Sequence, residues 1–134
     1  MSKYPARHIT ISIDRSATDV YEYMSNPHNT PQWAVGLSNG IEQHGDVWIT
    51  DSPMGKVRVK FAPRNVFGVV DHDVIMPDGT VVHNPLRVMP RSGATSEVVF
   101  TLFRNDVMTD DEYERDAAAI TTDLNKLKEV LESR

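Results

Sequence analysis

The side chains best suited to acid–base or metal chemistry fall in one short stretch, Asp71, His72 and Asp73, with His83 further along. An imidazole can give or take a proton near neutral pH, and carboxylates together with an imidazole can bind a divalent metal ion. Adjacent residues of a strand point to opposite faces, so His72 is separated from both aspartates. Asp71, Asp73 and His83 share the other face, where we expect an exposed cross-strand charge pair and no metal site.

The turn Pro77-Asp78-Gly79 decides which residue faces His72. A two-residue loop would put His83 on the face of His72, whereas a three-residue loop with a left-handed Gly79 pairs His72 with Asn84. The second register gives one coherent apolar face, and a slip of one residue would reverse it. We therefore expect His72 and Asn84 to lie opposite each other on an otherwise apolar surface.

An apolar pocket needs a few placed polar groups to orient its ligand, and His72 with Asn84 could supply them. The alternative is that the two side chains satisfy each other or a buried water. Trp33 follows a proline-rich loop, and it is expected either at the mouth of the pocket, as a gate or stacking surface, or as a core aromatic closing that end. Tyr113 would place its hydroxyl in the pocket or in water. The predicted ligand-binding residues are Trp33, Val70, His72, Val74, Asn84, Leu86, Phe100, Tyr113 and Ile120.

A long amphipathic helix is predicted from Thr109 to Arg134, and it must bury its apolar stripe against a sheet. Thr109 and Glu112 have the spacing of a capping box. The stripe consists of Tyr113, Ala117, Ile120, Leu124, Leu127 and Leu131. The opposite face carries Arg115, Asp116, Asp123, Lys126 and Glu129.

Most of the chain before this helix has the pattern of antiparallel strands. His8 to Asp14 alternates as a half-buried strand, and Ser16 caps a short helix that runs through Met24. Residues 26–36 predict a loop with one helical turn, so that two short helical pieces follow the first strand. Six further strands are expected near 38–44, 47–52, 56–61, 67–76, 80–89 and 96–104, and the last, apolar on both faces, suits a central position.

The residues after the first strand resemble the opening of the START-like, Bet v 1-like (SRPBCC) superfamily, whose bacterial members are often called polyketide cyclase/dehydrase-like proteins. The similar segments are Ala17-Thr18-Asp19-Val20-Tyr21-Glu22-Tyr23-Met24, Asn26-Pro27, Pro31-Gln32-Trp33 and the later hairpin Gly45-Asp46-Val47-Trp48. The resemblance covers nearly the whole chain and implies an α+β helix-grip fold. That fold has a seven-stranded antiparallel sheet curled around the long C-terminal helix, with two short helices after strand 1. Such domains usually bind lipids, polyketides or other small hydrophobic molecules, and no catalytic motif is carried over.

Composition narrows the classes of partner. The 134 residues favour one domain, residues 1–134, and the absence of cysteine excludes disulfides and thiolate metal sites. A net charge of −5 gives no general attraction to nucleic acid or to anionic membranes. No apolar run is long enough to cross a bilayer, and the first residues lack the apolar core of a signal peptide. We expect a cytoplasmic monomer or homodimer that needs no cofactor, does not insert into membranes and has a small hydrophobic molecule as its partner.

Three functions stay open at this point. The first is binding of a lipid, polyketide or aromatic metabolite in an internal cavity, without catalysis. The second is a polyketide cyclase, dehydratase or hydrolase in which His72 acts as general acid or base and Asn84 or Tyr113 holds an oxygen. The third is a stress-response or interaction module whose cavity is filled.

Overall fold

The C-terminal helix, α2 (Asp110–Glu132), forms as its sequence predicts in a computed structural model that describes residues 5–37, 39–52 and 55–134. The Thr109 hydroxyl accepts a hydrogen bond from the Glu112 N–H at 3.1 Å, and the Glu112 carboxylate accepts one from the Thr109 N–H at 2.9 Å. This reciprocal pair is the predicted capping box. Ile120 is half-buried, and the other members of the predicted stripe are buried: Tyr113, Ala117, Leu124, Leu127 and Leu131.

Eight strands lie in the described part of the chain, so the prediction of seven was wrong. They are β1 (Ala6–Ile13), β2 (Glu42–His44), β3 (Val47–Ser52), β4 (Gly55–Phe61), β5 (His72–Ile75), β6 (Val81–Asn84), β7 (Leu86–Pro90) and β8 (Ser96–Phe103). The additional strand arises because the predicted strand 80–89 divides at Pro85, which has no N–H to donate to a ladder. The Pro85 carbonyl instead accepts a hydrogen bond from the Thr101 N–H at 3.0 Å.

The strands form two antiparallel sheets that meet at this division. One sheet has the order β1-β8-β7, with β8 central as predicted, and the other has the order β2-β3-β4-β5-β6. The predicted strand 67–76 is shorter than expected, since only β5 forms a ladder. The residues before it join the sheets through the bonds from Val70 N–H to the Leu86 carbonyl and from Val88 N–H to the Gly68 carbonyl, both at 2.8 Å. The result is one curled antiparallel layer around α2.

The segment after β1 contains one α-helix and two 3₁₀ helices. Helix α1 (Ala17–Met24) begins where Ser16 Oγ accepts a hydrogen bond from the Asp19 N–H, as expected of the cap. Pro27–Gln32 and Val35–Leu37 are the 3₁₀ helices, so the region expected to be a loop with one turn is more regular than predicted. In Pro27–Gln32 the prolines each remove a donor, which suits a short 3₁₀ piece rather than an α-helix.

The hairpin β5–β6 has the predicted three-residue register. His72 pairs with Asn84, the Met76 N–H donates to the Thr80 carbonyl at 2.8 Å, and Gly79 has a positive φ of 90°. The hairpin β2–β3 turns at residues 45–46 as expected. The predicted turn Pro53-Met54-Gly55 includes residues outside the described ranges. Among the helices described, none is both long and apolar enough to cross a membrane.

Candidate ligand-binding pocket

A pocket of about 380 Å³ lies between the five-stranded sheet, the two 3₁₀ helices and the middle of α2. This volume is near the lower end of the range for small-molecule sites, roughly 300–1,000 Å³. Most of its wall is aliphatic or aromatic, and the polar side chains are few. The lining includes Met24, Leu37, Val57, Val59, Phe61 and Met76, in addition to most of the residues predicted from the sequence.

Eight of the nine predicted binding residues line this pocket. They are Trp33, Val70, His72, Val74, Asn84, Leu86, Phe100 and Ile120. Trp33 is also buried in the main core cluster, so it is a core aromatic that lines the pocket, and its role as a gate or stacking surface stays a prediction. That these residues bind a ligand stays a prediction, but the fold brings them to one place.

Tyr113 is the exception, and its expected place in the pocket was wrong. Its ring packs with Leu102 and Ala117 in a separate cluster, and the guanidinium groups of Arg7 and Arg104 lie 5.3 and 5.8 Å from its ring centroid. The hydroxyl is buried and has no hydrogen-bond partner within the described ranges, so it is not in water either. The reason is its position along α2: Tyr113 is in the first turn, whereas the pocket contacts the helix at Ile120 and Asp123.

The pair His72 and Asn84 supplies the polar centre of the pocket. Nδ1 of His72 lies 3.3 Å from the carbonyl oxygen of Val70, and its Nε2 lies 3.5 Å from Nδ2 of Asn84. The rings of Phe61 and Phe100 flank the imidazole, with centroids at 5.8 and 6.3 Å. His72 is half-buried, and it lines the pocket.

Burial lowers the pKa of His72 below its ordinary value, because a charged imidazolium would lose its hydration. The carboxylates of Asp71 and Asp73 act in the opposite direction and His83 acts with the burial, but desolvation is the largest influence. The ring is therefore neutral at pH 7. A neutral imidazole has one nitrogen that donates a hydrogen bond and one that accepts, so the neighbours of His72 determine which nitrogen is available to a ligand as an acceptor.

The acidic residues next to His72 lie on the other side of the sheet, as predicted. Asp73 Oδ1 is 2.6 Å from Nδ1 of His83, in an exposed cross-strand pair. Asp71 instead accepts two hydrogen bonds from the Arg87 guanidinium, at 2.9 and 2.8 Å, and the Arg87 contact holds the pKa of Asp71 below its ordinary value. Within the described ranges, no group of three or more histidines, aspartates and glutamates is arranged to hold a metal ion.

Asp123 is a pocket residue that the helical pattern assigned to the outer face. It lines the pocket and its Oδ1 accepts a hydrogen bond from the Val35 N–H at 3.1 Å. Burial raises the pKa of this carboxyl above its ordinary value. A signal for it was available, because Asp123 lies three residues after Ile120 and four before Leu127, which is the spacing of the apolar stripe itself.

Two buried polar atoms of pocket-lining residues have no hydrogen-bond partner among the residues that the structure describes. They are Oγ1 of Thr30 and Nε1 of Trp33, and both residues line the pocket. A buried polar group without a partner costs about 1–3 kcal/mol. The 3₁₀ side of the pocket therefore has unused hydrogen-bonding capacity, which no sequence pattern indicated.

Three larger concavities lie on the outside of the described part of the molecule. One, of about 650 Å³, is lined by the exposed side chains of Val66 and Phe67, and another, of about 620 Å³, by those of Val81 and Phe103. The third, of about 500 Å³, lies between the first 3₁₀ helix and the end of α2. We take the smaller pocket as the candidate site because it holds both His72 and Asn84 within mainly apolar walls and is the more enclosed.

Searches of family models and of curated proteins give no match to this chain. Solved structures do match it. An uncharacterised protein from Bacillus thuringiensis superimposes with a TM-score of 0.76 at 14% identity, covering 95% of this chain and 98% of the other. Ara h 8.0201, a Bet v 1 homologue, gives a TM-score of 0.70 at 12% identity, covering 98% and 99%. DynU16, a protein of the dynemicin biosynthetic locus, gives 0.73 at 11% identity, covering 95% of this chain and 47% of DynU16.

Similarity at these identities establishes the fold and nothing finer. The chain has a Bet v 1-like fold, an α+β arrangement of a curled antiparallel sheet and a long C-terminal helix. Fold does not define function, which has to be argued from the pocket.

Proposed function

We propose that the protein binds a small, mostly apolar molecule in the 380 Å³ pocket and holds its polar end at His72 and Asn84. The observation that carries this proposal is the composition of the pocket wall, in which an imidazole and an amide lie among aliphatic and aromatic side chains. Such a surface favours an apolar ligand by burial and orients it by hydrogen bonds. Bet v 1-like folds are compatible with this role.

The volume of the pocket supports binding over the alternative of a filled core. A water molecule occupies about 30 Å³ in the liquid, so 380 Å³ is the space of roughly a dozen waters. Packed protein interiors leave few voids larger than one water. Space of this size between the sheet and α2 favours binding over a filled cavity.

A pair of alanine-to-phenylalanine substitutions tests the proposal. Ala34 lines the pocket, whereas Ala118 is exposed on α2. We expect the uncharged fluorescent probe N-phenyl-1-naphthylamine to bind the natural protein with one site per chain. Ala34→Phe should weaken this binding about tenfold or more because the added ring occupies the pocket, and Ala118→Phe should leave it unchanged.

Absence of probe binding to the natural protein, or equal binding by both variants, would overturn the proposal. Native mass spectrometry of freshly purified protein, followed by organic extraction, gives the identity of a co-purified molecule. The circular dichroism of both variants should match that of the natural protein, so that a loss of binding is not a loss of fold.

Catalysis in the same pocket is the second candidate, and Asp123 favours it. A carboxyl group with a raised pKa and a neutral imidazole line one cavity, which is the pairing that general acid–base chemistry uses. The resemblance to polyketide cyclase/dehydrase-like proteins and the similarity to DynU16 suggest a polyketide-like or aromatic substrate. Conversion of the extracted molecule by the natural protein, but not by His72→Gln or Asp123→Asn, would establish this function in place of simple binding.

A further inference from the structure

We infer that the ligand presents an uncharged hydroxyl group to Nε2 of His72, so that the pocket selects hydroxylated apolar molecules over their O-methylated counterparts. This inference rests on the proposed function, since it concerns the ligand of the same pocket. It is carried by the hydrogen-bonding direction of the imidazole and by the charges that line the pocket.

The first step is the tautomer of His72. Nδ1 lies 3.3 Å from the carbonyl oxygen of Val70, and a carbonyl oxygen can only accept a hydrogen bond. Nδ1 must therefore carry the proton if this contact is to be favourable. The opposite tautomer would set two lone pairs against each other at this distance.

The contact of the second nitrogen agrees with this tautomer. Nε2 lies 3.5 Å from the amide nitrogen Nδ2 of Asn84, which donates hydrogen bonds. A protonated Nε2 would place two donors against each other, whereas an unprotonated Nε2 accepts. Both neighbours of the ring therefore select the neutral Nδ1–H form, with a lone pair on Nε2.

The lone pair on Nε2 is poorly used in this arrangement. The contact with Asn84 is at 3.5 Å, well beyond the usual N–H···N or N–H···O distance of about 2.9–3.0 Å. A ligand hydroxyl could approach to about 2.7–2.8 Å and form a stronger bond. An ether or carbonyl oxygen has no proton to donate, so it would set its own lone pairs against that of Nε2.

Charge in the pocket excludes an anionic head group. The lining residues described include no lysine or arginine, and the ionisable groups among them are His72 and Asp123. A carboxylate ligand would lose its hydration without gaining a cation, which is unfavourable in a mainly apolar site. An alcohol or a phenol in its neutral form fits both the acceptor nitrogen and the absence of positive charge.

The test compares 2-naphthol with 2-methoxynaphthalene, which share an apolar ring system and differ in whether the oxygen carries a proton or a methyl group. Dissociation constants are measured at pH 7.5 for the natural protein, His72→Phe and Asn84→Leu. We expect the natural protein to prefer 2-naphthol by roughly 3- to 10-fold, the value of one net hydrogen bond. His72→Phe keeps a ring of similar size and should lose the preference for 2-naphthol. Asn84→Leu should keep the preference because Nε2 stays available.

Equal binding of both compounds by the natural protein, or a preference that survives in His72→Phe, would overturn the inference and leave the proposed function standing. A preference lost in Asn84→Leu but kept in His72→Phe would assign it to the amide and overturn the inference in the same way. If the natural protein bound N-phenyl-1-naphthylamine but neither naphthalene compound, the inference alone would be overturned, whereas failure to bind all three would overturn the proposed function as well. Nitrogen-15 NMR of the natural protein needs no variant: we expect a proton on Nδ1 and a ligand-induced shift of Nε2 with 2-naphthol alone, and an Nε2–H tautomer would contradict the first step.

Discussion

Asp71 is expected to hold the two sheets together, and replacing it with alanine tests this role. Its Oδ1 accepts hydrogen bonds from the Leu86 N–H and from Nε of Arg87, each at 2.9 Å, and its Oδ2 accepts one from Nη2 of Arg87 at 2.8 Å. Leu86 is 1% exposed and lies directly after the break in the strand at Pro85. Its N–H therefore depends on a side chain for the partner that a continuous ladder would otherwise provide.

The magnitude follows from the two kinds of contact that Asp71→Ala removes. A buried N–H without a partner costs about 1–3 kcal/mol. The ion pair contributes at most about 1 kcal/mol, because the Arg87 side chain is 51% exposed. We expect Asp71→Ala to lower the free energy of unfolding by about 1–4 kcal/mol, measured by urea denaturation followed by circular dichroism.

Arg87→Ala is the matched control for this experiment. It removes the ion pair but leaves Asp71 bonded to the Leu86 N–H, so we expect a loss of about 1 kcal/mol or less. Asp71→Asn should fall between the two alanine variants, since its amide oxygen can still accept from Leu86. Equal losses for Asp71→Ala and Arg87→Ala would refute the argument, because the backbone bond would then contribute nothing measurable.

Three further changes have expected outcomes. Gly68→Ala should lower the free energy of unfolding by several kcal/mol in urea denaturation, because Gly68 has a φ of +74° and an added Cβ would lie 2.2 Å from the Val88 carbonyl oxygen. Gly93→Ala is the control: this glycine has a φ of +73° but open space around it, so the loss should be only about 1–2 kcal/mol. Thr109→Ala should lower stability by about 1 kcal/mol through loss of the capping box, whereas an unchanged value would mean that the cap is dispensable. The unfolded chain takes up a proton near the ordinary His pKa of 6.5, whereas burial lowers the pKa of His72 in the folded state. The free energy of unfolding should therefore fall as the pH drops below about 6.5, and His72→Phe should reduce this dependence between pH 7.5 and 5.5.

Features that depend on neighbouring residues in sequence were predictable. The capping box of α2, the alternation of β1 and the three-residue turn before Thr80 each follow from a local pattern that no distant contact overrides. The register of that turn mattered most, because it placed His72 opposite Asn84. The division of the predicted strand 80–89 at Pro85 was harder to predict from the sequence. A proline within a strand weakens it, but which sheet each half then joins depends on where β5 and β8 lie in space.

The two wrong predictions at the pocket, for Tyr113 and Asp123, both come from relying on the helical periodicity of α2. A helical repeat reports which face of α2 is buried, but it does not report what lies opposite each turn. Here Leu124, Leu127 and Leu131 pack in the main core, Tyr113 and Ala117 pack in a separate cluster, and Ile120 contacts both clusters.

The pocket meets α2 at this junction, through the turn Ile120–Asp123. A carboxylate is tolerated there because the opposing surface is the Val35 N–H and the pocket rather than a closed apolar core. Asp123 therefore lies at the one turn of the stripe that faces the pocket, between a part of α2 that packs in the separate cluster and a part that packs in the main core. A polar residue at the spacing of the apolar stripe can therefore lie in a pocket instead of on the solvent face, as Asp123 does in this amphipathic helix.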